Sequence, residues 1–165
     1  MNCGLIRTLQ CEDEHTLWTM LMYAAHESSV SVVKTNLDLI RYVAGWGRVG
    51  DFGVVAEQDS APVGAAWLRL WTEENRGYGY IANDVPELAI AVVPEMRGQG
   101  IGTALLSKVL ALVKSEFPAV SLSIRADNPA LRLYQRMGFV PVTGSEVINR
   151  EGGLSFTMIY RFTAE

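Results

Sequence analysis

Three glycines at alternate positions, Gly98, Gly100 and Gly102, are the residues of this chain best placed to do chemistry. They sit in Arg97-Gly98-Gln99-Gly100-Ile101-Gly102-Thr103, behind an apolar run from Leu88 to Val93 that Pro94 closes. A helical pattern opens directly after them. Glycine lacks the Cβ that would hold an anion away from backbone N–H groups. A helix starting just behind adds unbonded N–H donors and the positive end of its dipole. The turn therefore suits a phosphate or pyrophosphate. A Walker loop fits poorly, because Gly102 is followed by Thr103-Ala104 and no lysine. A Rossmann fingerprint fits poorly too, since Thr103 stands where its third glycine belongs. The next strand candidate, Val120–Ile124, ends in Arg125, where that fingerprint wants a ribose-binding acid.

With the strand in front of it, this pattern resembles the acyl-CoA signature of the GCN5-related N-acetyltransferase (GNAT) family, Gln/Arg-x-x-Gly-x-Gly/Ala, matched by Arg97, Gly100 and Gly102. A second segment, Asn128-Pro-Ala-Leu-Arg-Leu-Tyr134-Gln-Arg-Met-Gly138-Phe139, is similar to the family's Asn…Leu-Tyr-x-x-x-Gly-Phe helix. The two motifs and the strand leading in cover about residues 86–140; the N-terminal half resembles the family only in its pattern of elements.

The resemblance implies acetyl-CoA as cosubstrate and an N-acetyltransferase acting on a primary amine by direct attack in a ternary complex. Arg97, Gly98, Gln99, Gly100, Ile101, Gly102 and Thr103 would hold the pyrophosphate. The amide-rich pantetheine arm would pair like an added strand with backbone groups at Ala91, Val92 and Val93, and an N–H of that strand would polarise the thioester carbonyl. Asn128 would contact the coenzyme, or simply cap its helix. Tyr134 is the candidate proton donor to the leaving thiolate, because a phenol with a pKa of about 10 is protonated at neutral pH. Glu87 is the candidate base, directly or through a water, with Asp84 or bulk water as alternates. A non-catalytic acyl-CoA-binding module is the competing reading, and Tyr134 argues against it. The acceptor is open between a small-molecule amine and a peptide.

The 165 residues amount to a single domain, 1–165, with enough chain to bury a core. A net charge of −4 argues against a nucleic-acid or anionic-membrane surface, so a polyanionic coenzyme must be held by local donors. Cys3 and Cys11, with only His15 and His26 beside them, do not suggest a metal site, and both read as free thiols. Arg7 interrupts any leader-like start and no apolar run reaches membrane-spanning length, which points to a soluble, cytoplasmic protein. Oligomeric state is open; a homodimer would suit the family.

The elements that must position these residues follow from periodicity. Gly4–Gln10 reads as a strand, then Glu12-Asp13-Glu14 leads an amphipathic helix carrying Leu17, Trp18, Leu21 and Met22. Asn36 looks like the cap of a second helix, and the aromatics Trp18, Tyr23, Tyr42 and Trp46 suggest a substrate-side cover, with plain core packing the alternative for any single one of them. Phe52–Gln58 and Val63–Trp71 read as a hairpin turning at Asp59–Pro62. Residues 72–84 form a long polar loop, flexible or contacting an amine. A largely buried helix over 101–117 follows, with Thr103, Ser107 and Lys114 as its exposed stripe. A strand at Val120–Ile124 comes next, then a helix from about Ala126 to Gly138. Phe139–Val142 and Leu154–Phe162 supply two last strands across a polar linker. The expected class is α+β, a GNAT-like mixed, mostly antiparallel sheet of six to seven strands flanked by about four helices.

Overall fold

The structure, a computed structural model, describes residues 4–163. Cys3 falls outside that range. The described residues divide into two compact units. One holds those up to Arg69 together with Ala89–Val113; the other holds Leu70–Leu88 together with those from Lys114 onward.

In the first unit, β1 (Leu5–Thr8) leads into a single 3-10 turn and α1 (Glu14–Ala24). His26, at φ 57°, breaks that helix. Ser29 then accepts the Val32 N–H and caps α2 (Val30–Thr35), a helix absent from the sequence expectation. Val-Ser-Val-Val-Lys-Thr is rich in β-branched residues and shows no long apolar stripe, so neither propensity nor periodicity marked it. Asn36 caps α3 (Leu37–Ile40) as expected, its side chain accepting the Asp38 N–H. β2 (Phe52–Gln58) pairs antiparallel with β1 and with β3 (Ala61–Arg69). The hairpin turn is two residues, Asp59 and Ser60, both with positive φ, and not the longer Asp59–Pro62 turn. β3 therefore starts and ends two residues early. Such a two-residue turn matches the twist of the flanking strands.

β4 (Glu87–Val92) lies next to β3 and belongs to this unit from Ala89 on. A Cβ at Gly64 would lie 3.0 Å from both the Ala91 oxygen and a Leu105 methyl, so glycine lets α4 (Ile101–Val113) settle close to β3. Leu105, Leu106, Val109, Leu110 and Val113 bury one face of α4. Ala104, Ala111 and Leu112 are exposed with Thr103, Ser107 and Lys108, so the helix is two-faced and stops at Val113, short of Phe117. Ala104, Ala111 and Leu112 on its outer face made it read as largely buried; apolar does not mean buried.

The segment between α3 and β2 is clamped from β3. The Arg69 guanidinium donates to both Asp51 carboxylate oxygens at 3.1 and 3.0 Å, and to the carbonyls of Arg41 and Ala44 at 2.8 and 2.7 Å. Trp67 donates its indole N–H to the Tyr42 carbonyl at 2.9 Å. Tyr42 and Trp46 are buried in this packing, which is the core alternative to the substrate cover. Both charged side chains are 1% exposed. Asp51→Ala leaves an unpaired buried guanidinium and should destabilise the protein by about 3–5 kcal/mol, read from urea denaturation.

In the second unit, β5 (Ala119–Arg125) and β8 (Leu154–Arg161) pair antiparallel over seven residues. Two-residue strands β6 (Val140–Pro141) and β7 (Val147–Ile148) both pair with β8. The first residue of β4, Glu87, registers with Ser121 in parallel. The class is thus α+β with a mixed, mostly antiparallel sheet. The two short strands bring the count to eight among the described residues, above the expected six to seven. The helix α5 (Leu131–Met137) starts later than expected and ends at Gly138, which takes φ 108° as its left-handed cap. Val85, Ala119 and Ile159 form a small core here, covered by Ile81, Ala82 and Val142.

Candidate active site

Pro94–Met96 makes one 3-10 turn after β4, and the chain then enters the glycine segment. Gly98 and Gly100 take φ values of 78° and 82°. A Cβ at either would meet nothing within 4 Å, so neither glycine is demanded by crowding. Each is demanded by backbone conformation, which an L side chain rarely adopts. The first backbone bond of α4 runs from the Ala104 N–H to the Gly100 carbonyl at 3.1 Å. Among the described residues, the N–H groups of Gly98 to Thr103 donate to no backbone carbonyl in loops or caps. A row of uncapped donors thus precedes a 13-residue helix and its positive dipole end. Such an arrangement has the donors and the dipole that suit an anion.

Arg97 is exposed and donates its Nε–H to the Val92 carbonyl at 3.1 Å. The Val93 N–H donates to the Val63 carbonyl at 2.9 Å, so the β3 side of this strand is already paired. Glu87 is the one residue of β4 in register with β5. Gly102 and Thr103 lie inside the first turn of α4, with Ile101 at its start.

Glu87 lies in the second unit, 4% exposed. Its Oε1 accepts the Trp71 indole N–H at 2.9 Å and the Gly79 backbone N–H at 2.9 Å. The Ser121 hydroxyl donates to the Gly79 carbonyl at 2.6 Å and ties the same loop to β5. Any Cβ at Gly77 would collide with the Glu87 carboxylate and the Trp71 ring; one at Gly79 would lie 3.0 Å from the carboxyl carbon. The 72–84 loop is accordingly a fitted segment around a carboxylate. Tyr80 donates its hydroxyl to Asn83 at 2.6 Å, and Arg76 lies 4.9 Å above the Tyr80 ring. Glu73, Glu74, Tyr78 and Asp84 are exposed. Sequence reasoning missed Trp71 and the pair Gly77 and Gly79. The Gly-Tyr-Gly triplet, inside a loop that reads as either flexible or contacting an amine, is the available signal.

Tyr134 sits on α5, 8% exposed, with its ring edge against Phe139 at 5.8 Å. Phe139 in turn stacks against Tyr160 at 5.5 Å. Burial pushes the Tyr134 phenol above its ordinary pKa, because the phenolate would lose hydration there. Asn128 uses its Oδ1 to accept the Ala130 N–H at 2.9 Å, closing the turn ahead of α5. The glycine segment, Ala91, Val92, Val93 and Arg97 belong to the first unit; Glu87, Asn128 and Tyr134 belong to the second. Among the described residues no cluster of three or more His, Cys, Asp and Glu could hold a metal, and Cys11 is free and exposed. No helix among them is long and apolar enough to cross a membrane.

A family model described as "Acetyltransferase (GNAT) family" matches residues 9–139. The chain is 31% identical over 139 residues to a mycothiol acetyltransferase of Streptomyces griseus, covering 81% of this chain and 42% of that protein. It therefore spans less than half the length of that relative. It is 36% identical over 93 residues to an N-alpha-acetyltransferase of Sulfurisphaera tokodaii, covering 53% of this chain and 56% of that one. Among solved structures it is similar in fold to a ribosomal-protein-alanine N-acetyltransferase from Brucella melitensis. There the TM-score is 0.71 at 23% identity, over 95% of this chain and 99% of the other. The Salmonella typhimurium protein yncA, solved with its cofactor acetyl-CoA, also gives a TM-score of 0.71, at 16% identity over 98% and 95% of the two chains.

Proposed function

Because this chain belongs to the acetyltransferase (GNAT) family, we propose that it transfers an acetyl group from acetyl-CoA to a primary amine in a ternary complex. The observation that carries the reading is the turn at Gly98–Thr103, whose amides are uncapped in front of α4. The residues present fit the coenzyme. Gly98 and Gly100 keep side chains off the turn, and the exposed amides suit a diphosphate. Ala91, Val92 and Val93 offer the pantetheine arm an extended strand, with Arg97 beside it and Asn128 as a further coenzyme contact.

In the reaction, the amine lone pair attacks the thioester carbonyl carbon. The C–N bond forms, the C–S bond breaks, and the electron pair leaves on sulfur. Tyr134 donates its proton to that sulfur, and Glu87 takes the proton the amine must lose, directly or through a water. A base with a bonded, buried carboxylate is preorganised for that task. One relative is named for mycothiol acetylation and another for N-alpha acetylation. The acceptor class proposed is accordingly a small-molecule or peptide amine, and the exposed Glu73, Glu74 and Asp84 favour a cationic one. CoA release from acetyl-CoA across a panel of cationic small amines and peptide N-termini tests this. At least one member should accelerate release well above the rate of hydrolysis alone; equal rates across the panel count against the reading.

A further inference from the structure

Trp71 and Gly79 meet on one carboxylate oxygen, and nothing in the glycine-loop chemistry requires them to. Trp71 is 2% exposed and follows directly on the strand-ending segment of the hairpin, while Gly79 lies eight residues before Glu87. Both donate to the same atom, Oε1, each at 2.9 Å. The donor geometry is itself supported. Ser121, fully buried, holds the Gly79 carbonyl at 2.6 Å and is the register partner of Glu87 across β4 and β5. The Ser121 N–H also donates to the Pro86 carbonyl at 3.0 Å. The absent Cβ of Gly77 leaves room for the Glu87 carboxylate, and that of Gly79 lets the loop lie against both the carboxylate and the β5 backbone at Leu122 and Ser123. Four separate features of the chain thus converge on one side-chain conformation.

A buried carboxylate held by two N–H donors on one oxygen is oriented as a base that must face one proton would need. We propose that Trp71 is a positioning residue for acetyl transfer, its indole N–H fixing the rotamer of Glu87 through Oε1, with Ser121 supporting the second donor through Gly79. The inference rests on the reading of Glu87 as the base. It adds a residue that never meets the substrate and acts only through the carboxylate.

The test is a double-mutant cycle on kcat with saturating acetyl-CoA. Trp71→Phe keeps an aromatic ring, smaller than the indole, and deletes the donor. It should lower kcat by about tenfold, the size of one hydrogen bond to a charged group, with the KM for acetyl-CoA unchanged. Glu87→Gln keeps an oxygen that can accept both N–H groups but removes the base; it should lower kcat by about a hundredfold. In the Glu87→Gln background, Trp71→Phe should cost less than about twofold more, because there is no base left to aim. An equal tenfold loss in both backgrounds would make Trp71 a packing residue and overturn the proposal. So would an unchanged kcat in Trp71→Phe. Full activity in Glu87→Gln would instead remove the base reading, and the proposal with it. Should Trp71→Phe fail to fold, Ser121→Ala takes its place in the cycle, with about a threefold loss expected only when Glu87 is present.

Discussion

Tyr134→Phe lowers kcat for acetyl transfer by about a hundredfold and leaves the Kd for acetyl-CoA within about twofold. The hydroxyl is asked to act on sulfur only as the C–S bond breaks, so its loss falls on the transition state and spares the bound ground state. The packing argues that phenylalanine will be accepted. The ring sits edge-on to Phe139 and is buried by apolar contact, and Phe keeps that contact. Burial holds the phenol above its ordinary pKa, so the protonated donor form persists past neutrality. The donor is lost only when pH climbs through that raised value, and the wild-type rate should show no descending limb from Tyr134 between pH 7 and about 9. Steady-state kinetics with coenzyme affinity measured separately checks both halves. Equal losses in affinity and kcat would assign Tyr134 to coenzyme binding.

Gly100→Val is the second large effect, and it strikes the other requirement. Gly100 has φ 82°, a conformation that a β-branched side chain pays roughly 1–3 kcal/mol to enter. The chain will relieve that strain by turning the peptide, which carries the neighbouring amides away from their shared direction. The same side chain also adds bulk where a Cβ now meets only open space. The Kd for acetyl-CoA should therefore weaken by about a hundredfold or more, while ligand-free stability falls modestly, since no packed neighbour is displaced. Gly100→Ala should give a smaller loss in the same direction. Calorimetric titration of both variants reads this order; identical affinities would mean that the bend has no coenzyme to hold.

What could be read from the chain depended on whether the signal was local. β2 was legible to the residue, because Phe52–Gln58 is an apolar run ended by a turn pair. The glycine segment was legible as a turn before a helix, and among the described residues its amides donate to no backbone carbonyl in loops or caps. The helix at Val30–Thr35 was hidden, since its residues prefer strands and only the Ser29 cap declares it. The end of α4, ahead of Pro118, and the start of α5, behind Pro129 and Ala130, were misplaced. β7 was invisible because two residues carry no period. The largest gap lay around Glu87. Its partners Trp71, Gly79 and Ser121 come from three separate places in the chain, and only folding makes them neighbours. Residues 72–84 read as a loop either flexible or contacting an amine, whereas Gly77 leaves room for the Glu87 carboxylate and Gly79 for that carboxylate and the β5 backbone at Leu122 and Ser123.

The central claim is that the amides from Gly98 to Thr103 wrap a diphosphate, and amide-resolved NMR titration with acetyl-CoA tests it most directly. The account predicts that Gly98, Gly100, Ile101, Gly102 and Thr103 show the largest N–H shift changes, and that pantetheine, which lacks the diphosphate, leaves those amides in place. Saturating acetyl-CoA that moves other amides and leaves this row unshifted would contradict it.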